Sequence, residues 1–169
     1  MTFAVWLTGL SGSGKSAIAH ALLEKLRARG VAAARLESDV LRTQVTPFAK
    51  YDEPERDLFY GALVALGRFV VDERRPVLFD ATANLRRYRD AARQAIVRFA
   101  EVYVDTPLEV CAARDTKGLY KSMSVEALPG VHAAYEPPLV PELVVHGAQG
   151  TPGEAAEKVF GFLSRRGWI

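Results

Sequence analysis

Sulfur cross-links are absent from this chain: Cys111 is its only cysteine. No disulfide can join two parts of it, which fits a reducing compartment, and in the helical run "LEVCAARD" the thiol reads as a small buried hydrophobe. No apolar run approaches the length of a membrane span, and "MTFAVWLTGL" lacks the basic start and cleavage pattern of a secretory leader. The expected location is therefore the cytoplasm. A charge excess is missing too. Twenty-two basic residues face 20 acidic ones, a net charge of +2, so no strong overall field draws the chain to nucleic acid or to an anionic membrane. There is no internal repeat and no low-complexity linker. His20, His132 and His146 show no metal-site spacing.

What is present suits one folded domain over residues 1–169, since this length supports a proper core and the composition, 49% hydrophobic and 25% charged, is that of a globular protein. Five short stretches rich in strand formers, "FAVWLT", "AAARLESD", "PVLFDAT", "AEVYVDT" and "ELVVHG", alternate with segments of helical periodicity. Pro54, Pro107 and the "TPGE" before the last helix mark helix starts, and Gly30 marks an end. Such alternation predicts a three-layer α/β fold, a five-stranded parallel sheet with helices on both faces. One stretch fits no element: "RDTKGLYKSMSVEALPGVHAAYEPPLVPE" carries four prolines and two glycines. A loop that long is usually functional, and a lid over about residues 114–138 is expected where ligands sit, outside the carboxyl ends of the strands.

The first predicted strand runs into "GLSGSGKS", which fits the phosphate-loop pattern through Gly9, Gly14, Lys15 and Ser16. Glycines here let successive N–H groups turn inward toward phosphate oxygens, and the following helix adds its unpaired N–H groups and positive end. The expected nucleotide contacts are Gly9, Ser11, Gly12, Ser13, Gly14, Lys15, Ser16 and Ala17. Lys15 is expected at the β- and γ-phosphates of ATP and the Ser16 hydroxyl on Mg²⁺. The Asn-Lys-x-Asp element of guanine-specific switches and the ABC-transporter signature are both missing.

Asp39, in "LESDVLR", follows the second strand. It is placed to accept the proton of an attacking hydroxyl or to hold Mg²⁺ through water, with Arg42 one turn further on if a helix begins there. Asp80, in "FDATAN", follows the third strand as a Walker-B carboxylate does, and Thr82 and Asn84 would line the same edge. Either aspartate can serve as the base on this reading. Arg114, Lys117 and Lys121 supply positive charge for the transferring oxygens, Arg114 on the nucleotide side. Tyr120, Tyr135, Phe48 and Phe59 are candidate stacking surfaces for a base, although aromatics at such positions are more often core.

Taken together, "GLSGSGKS", "LESDVLR", "EVYVDTPLEVCAARDTKGLYK" and "YEPPLVPEL" resemble the adenylylsulfate kinase family, from the first strand to about Leu143. That resemblance implies ATP with Mg²⁺, a small alcohol acceptor (adenosine 5′-phosphosulfate) phosphorylated on its ribose 3′-hydroxyl, and commonly a homodimer. By position, Asp39 matches the second aspartate of the family's Asp-Gly-Asp and Arg42 the arginine after it. Arg56 matches an arginine that contacts the sulfated nucleotide, and Lys117 through Leu119 to Lys121 match the lid. The chain departs from the family where Glu37-Ser38-Asp39 replaces Asp-Gly-Asp, where Phe59 stands for an asparagine, where "FDATAN" replaces Phe-Ile-Ser-Pro, and where "LPGVHAAYEPP" lacks two acids. "DATANLRRYRD" instead resembles a segment of polynucleotide-kinase-like enzymes. Two alternatives stand beside the family's reaction: a kinase of another alcohol, such as a nucleoside, sugar or polynucleotide end, and a nucleotide-binding regulator without transfer.

Overall fold

The computed structural model describes residues 2–115, 118, 120 and 128–169. Its centre is β1 (Ala4–Thr8), five residues that are all buried. This strand lies between β3 (Val77–Asp80) and β4 (Phe99–Asp105), with β2 (Ala34–Glu37) and β5 (Leu143–His146) at the edges, in the order β2-β3-β1-β4-β5. Every pairing is parallel. A strand flanked on both edges and covered on both faces has no wet side, which is why "AVWL" is continuously apolar and the Thr8 hydroxyl that follows is bonded to Thr82 O.

Alternation along β1 divides the core in two. Val5 and Leu7 face α1 (Lys15–Ala28) and α6 (Pro152–Arg165), where Ile18, Leu22, Val159 and Leu163 close the packing. Ala4 and Trp6 face α3 (Glu53–Asp72) and α4 (Arg86–Ala95), against Phe59, Leu63 and Tyr88. Trp6 stacks on Phe79 at 4.5 Å and donates its indole N–H to Ala81 O at 2.9 Å. The two short helices, α2 (Ser38–Val45) and α5 (Leu108–Ala113), follow β2 and β4 directly at the carboxyl edge of the sheet. Because β1 has β3 on one side and β4 on the other, the chain changes winding direction there, and a crevice opens above its end.

The five strands, and the helices between them, coincide with the elements expected from the sequence, within a few residues. The boundaries moved for local reasons. Helix α3 stops at Asp72, short of the expected "ERR", because Arg74 turns into the left-handed region (φ 60°) and Arg75 N–H bonds back to Val70 O. Helix α2 begins at Ser38, so Asp39 sits in a first helical turn rather than on the strand. Thr151 and Glu154 make the reciprocal cap of α6, and the Asp52 side chain accepts from Glu55 N–H to cap α3. Cys111 is fully buried, and that burial pushes its thiol pKa up. Part of the expected lid, residues 116, 117, 119 and 121–127, lies outside the described residues. Among the described residues no helix is long and apolar enough to cross a membrane.

Helix α3 presents two apolar faces. One is core. The other exposes Leu58 (67%), Leu66 (39%) and Phe69 (62%), with Gly61, Ala62 and Ala65 between them. At Gly67 the inner face comes so close to β3 that a Cβ atom would sit 2.1 Å from Phe79 Cζ. Gly67→Ala would improve helix propensity by up to about 1 kcal/mol, yet overpacking against a stacked ring costs roughly 1–3 kcal/mol. The expected net result is a lower urea midpoint with an unchanged slope; an unchanged or higher midpoint would show that the contact yields freely.

Candidate active site

The loop between β1 and α1 is built from short backbone contacts. Gly14, the residue before α1, has φ 104° and leaves the helix start with no side-chain cap. The first N–H groups of α1 are thus left to a ligand rather than consumed by a serine or aspartate. Gly12 has φ 77°, and a Cβ there would lie 2.7 Å from Cys111 O, so the loop presses directly on α5. From the other side Thr106 donates its hydroxyl to Ser13 O at 3.0 Å. Among the described residues the buried Ser13 hydroxyl has no hydrogen-bond partner. Lys15 is buried and folds over the loop, its Nζ donating to Gly9 O (2.9 Å) and Leu10 O (2.8 Å). Ser16 and Ala17 are exposed in the first turn. Tyr120 donates its hydroxyl to Ser11 O at 2.7 Å, and burial raises its pKa to about 12, which keeps the phenol a donor at neutral pH.

Beside this loop lies a cleft of about 410 Å³, bordered by Ser11, Asp39, Arg42, Arg56, Tyr60 and Thr82. Both arginines expected at an acceptor site reach it, from different helices, and both are buried. Arg42 pairs with Glu55 at 2.6 Å, and its guanidinium lies 4.0 Å above the centre of the Phe59 ring. The other oxygen of Glu55 accepts the N–H groups of Lys50 and Tyr51, which ties the loop before α3 to the same carboxylate. Arg56 donates from Nε to Tyr51 O at 2.8 Å and from Nη1 to Asn84 Oδ1 at 3.0 Å. A desolvated guanidinium is tolerable only with such partners, and they also set its plane. Tyr60 accepts Ala83 N–H on its hydroxyl at 3.1 Å, and burial raises its pKa.

The two candidate bases separate. Asp39 is exposed and lines the cleft. Asp80 is 3% exposed, does not line it, and accepts from both Nε (3.2 Å) and Nη2 of Arg35. Arg35 and Glu37 project on the same side of β2, and Asp80 stands opposite Glu37 in the sheet, so the three meet on one face. Arg114 is exposed and donates from Nη1 to Gly147 O at 2.8 Å, joining the end of α5 to the turn after β5. Lys117, Leu119 and Lys121 lie outside the described residues. Of the aromatic candidates, Phe59 is the buried floor under Arg42, Tyr135 bonds to Thr8 Oγ1 at 3.1 Å, and Phe48 is 91% exposed. Sequence reasoning missed Glu55 and Arg35. Their partners lie 13 and 45 positions away; only the period-two spacing of Arg35 and Glu37 hinted that they share a face.

A parallel sheet with a glycine loop after its central strand, an uncapped helix behind the loop and an arginine-lined cleft beside it define an ATP-dependent kinase of the P-loop class. The family model for adenylylsulphate kinase matches residues 1–146, and the chain belongs to that family. The adenylyl-sulfate kinase of Rippkaea orientalis is 36% identical over 168 residues, 98% of this chain and 93% of that protein. That of Halothermothrix orenii is 35% identical over 174 residues, covering 98% and 91%. The structure of Mycobacterium tuberculosis APS kinase CysC in complex with AMPPNP and APS matches with a TM-score of 0.88 and 31% identity, over 96% of this chain and 98% of that one.

The contact of Gly12 with α5 has a measurable consequence. In Gly12→Ala the added carbon meets Cys111 O and the left-handed φ costs about 1–2 kcal/mol more than in glycine. Relief requires the loop to lift away from α5, which misdirects its N–H groups. Calorimetry is expected to show ATP affinity lowered about tenfold or more, the equivalent of some 1.4 kcal/mol, with an unchanged far-ultraviolet dichroism spectrum. Wild-type affinity in this variant would contradict the packing argument.

Proposed function

We propose that this chain transfers the γ-phosphoryl group of ATP to the ribose 3′-hydroxyl of adenosine 5′-phosphosulfate, releasing ADP and 3′-phosphoadenylyl sulfate. One observation carries the reading: Asp39, Arg42 and Arg56 border a single cleft that also reaches Ser11 of the phosphate loop. An acceptor bound there lies next to the nucleotide, with a carboxylate for its hydroxyl proton and two fixed guanidinium planes for an anionic group. The Mycobacterium tuberculosis APS kinase CysC, solved in complex with AMPPNP and APS, supports a reading in which one chain of this fold takes both a nucleotide and this acceptor.

The loop N–H groups from Ser11 to Ala17 and the start of α1 would hold the phosphates. Lys15 would leave the Gly9 and Leu10 carbonyls for the β- and γ-oxygens, where charge develops during transfer. Arg114 stands on the nucleotide side. The oxygen donors present suit Mg²⁺, a hard cation: the exposed Ser16 hydroxyl, and the exposed Asp39 carboxylate through water. Among the described residues no three His, Cys, Asp or Glu side chains cluster. Bound, the cation would offset phosphate charge. Asp39 takes the 3′-hydroxyl proton as the oxygen attacks phosphorus in line with the departing ADP. Asp80, held by Arg35, is left the role of fixing β2 against β3. Lys117, Leu119 and Lys121 are proposed to cover the acceptor, and the cytoplasm is the proposed location.

Purified protein with ATP is expected to release ADP saturably when adenosine 5′-phosphosulfate is added; release no faster than with ATP alone overturns the proposal. Lys15→Ala should lower turnover by about 100-fold or more. Asp39→Asn should keep ATP binding and lose roughly 10²–10⁴-fold in turnover. An undiminished rate in that variant would remove Asp39 as the base.

A homodimer belongs to the same reading, and the outer face of α3 supports it. The spacing of its apolar stripe is the same in both directions: position 58 answers 69, 61 answers 66, and 62 answers 65. An antiparallel twofold contact therefore sets Leu58 beside Phe69 of the second copy, seats Leu66 over Gly61, and puts Ala62 and Ala65 at the crossing. Sedimentation should give a dimer for wild type and a monomer for the Leu58→Glu, Phe69→Glu double variant. A monomeric wild type, or a double variant that stays dimeric, would remove this interface.

A further inference from the structure

Asn84 follows β3 at the turn into α4 and is 4% exposed. It closes the "FDATAN" stretch, residues 79–84. Three hydrogen bonds converge on it. Its Oδ1 accepts from Arg56 Nη1 at 3.0 Å, its Nδ2 donates to Ala134 O at 3.0 Å, and its main-chain carbonyl accepts Glu136 N–H at 2.8 Å. A guanidinium only donates and a main-chain carbonyl only accepts, so the partners allow one amide orientation. A single residue thus joins an acceptor-cleft arginine to the returning end of the interval expected as a lid, its side chain reaching Ala134 and its main chain Glu136.

The surroundings hold this joint rigid. Ala83 adopts the left-handed region (φ 43°), with its N–H on the Tyr60 hydroxyl. Buried Arg89 donates to Ala83 O, to Glu136 O at 2.6 Å and to Glu101 Oε1 at 2.5 Å. One guanidinium therefore clamps both the turn and the returning segment, and Glu101 balances its charge inside the protein. Rotating Asn84 away would break bonds in a dry, fully partnered network, where each lost bond is costly.

We infer that Asn84 is a positioning residue: it fixes the Arg56 guanidinium for the anionic end of the acceptor and couples that setting to the Ala134–Glu136 segment. The inference rests on the proposed role of Arg56 toward adenosine 5′-phosphosulfate. Among the described residues, Nε of Arg56 is held on Tyr51 O and Nη1 on Asn84, two anchors that constrain the plane of a rigid fork. With the second anchor gone the plane tilts, and directional hydrogen bonds to the acceptor weaken while the nucleotide side is untouched.

The test uses full-length wild type, Asn84→Ala, Arg56→Ala and the double variant. Asn84→Ala is expected to raise KM for adenosine 5′-phosphosulfate about tenfold, some 1.4 kcal/mol, with KM for ATP changed less than about twofold. If Asn84 acts through Arg56, the double variant has a KM for the acceptor no higher than Arg56→Ala alone. An unchanged acceptor KM in Asn84→Ala, or effects that multiply in the double variant, overturns the inference. Wild type gives a measurement that needs no variant to fold. Adenosine 5′-phosphosulfate alone should slow amide exchange over residues 134–136; no slowing refutes the coupling. Absence of acceptor-dependent ADP release in wild type would sink the proposed function and this role together. Turnover with unchanged acceptor KM and exchange would remove only the role of Asn84.

Discussion

Main-chain N–H groups that have no partner within their own helix are the constraint on which this molecule turns. Helix α1 starts at Lys15 behind Gly14, with no side chain spent on its first amides; α2, α4 and α5 also lack a side-chain cap, whereas α3 and α6 have one, and only α1 is entered through the glycine loop. Leaving those donors open costs stability, and the loop compensates by being wedged: Gly12 against the Cys111 carbonyl, the Ser13 carbonyl under the Thr106 hydroxyl, Ser11 under Tyr120. Lys15 bonded to Gly9 and Leu10 carbonyls shows the same tension from the cationic side. A rigid cradle of donors is what a triphosphate needs, because little reorganisation then accompanies charge development.

The acceptor side solves an opposite problem. Here the difficulty is to keep guanidinium groups directed while they are largely out of water. Arg42 uses Glu55 and the face of Phe59, and Arg56 uses a backbone carbonyl and Asn84. Each thus has a partial or full compensation that leaves its plane defined. Arg89 repeats the device one layer deeper, with Glu101 as counter-charge, and holds the turn that presents Asn84. The phosphate loop is held through its own main-chain atoms, on which Thr106, Tyr120 and Lys15 converge, and the cleft by side-chain networks. That contrast explains why the first follows a short pattern and the second does not.

Much of the architecture was legible before any coordinates. Strong local signals agreed with one another: continuous apolar strands, proline and threonine at helix starts, glycine at the end of α1. The strands came out parallel and five in number, as alternation requires. Errors fell at boundaries, where single residues decide; Arg74 ends α3 by adopting a backbone conformation that composition does not announce. Lys15, Ser16, Asp39, Arg42 and Arg56 were recognisable as candidates, and all lie at the loop or the cleft. Asp39 and Asp80 were equivalent on paper, since both follow a strand. They differ in space because Arg35, on the neighbouring strand, reaches one and not the other.

The sequence by itself determined the alternating α/β layout, the phosphate loop and the kind of charge needed beside it, because these depend on near neighbours and on periodicities of two and 3.6. Only the tertiary structure decided which aspartate faces the cleft, what holds Arg42 and Arg56, and how Asn84 links one of them to residues 50 and 52 positions further along. Those outcomes depend on burial. Water must be excluded before a carboxylate, an amide or an aromatic face becomes the necessary partner of a particular guanidinium, and which groups share a dry space is settled by the packing of the whole chain.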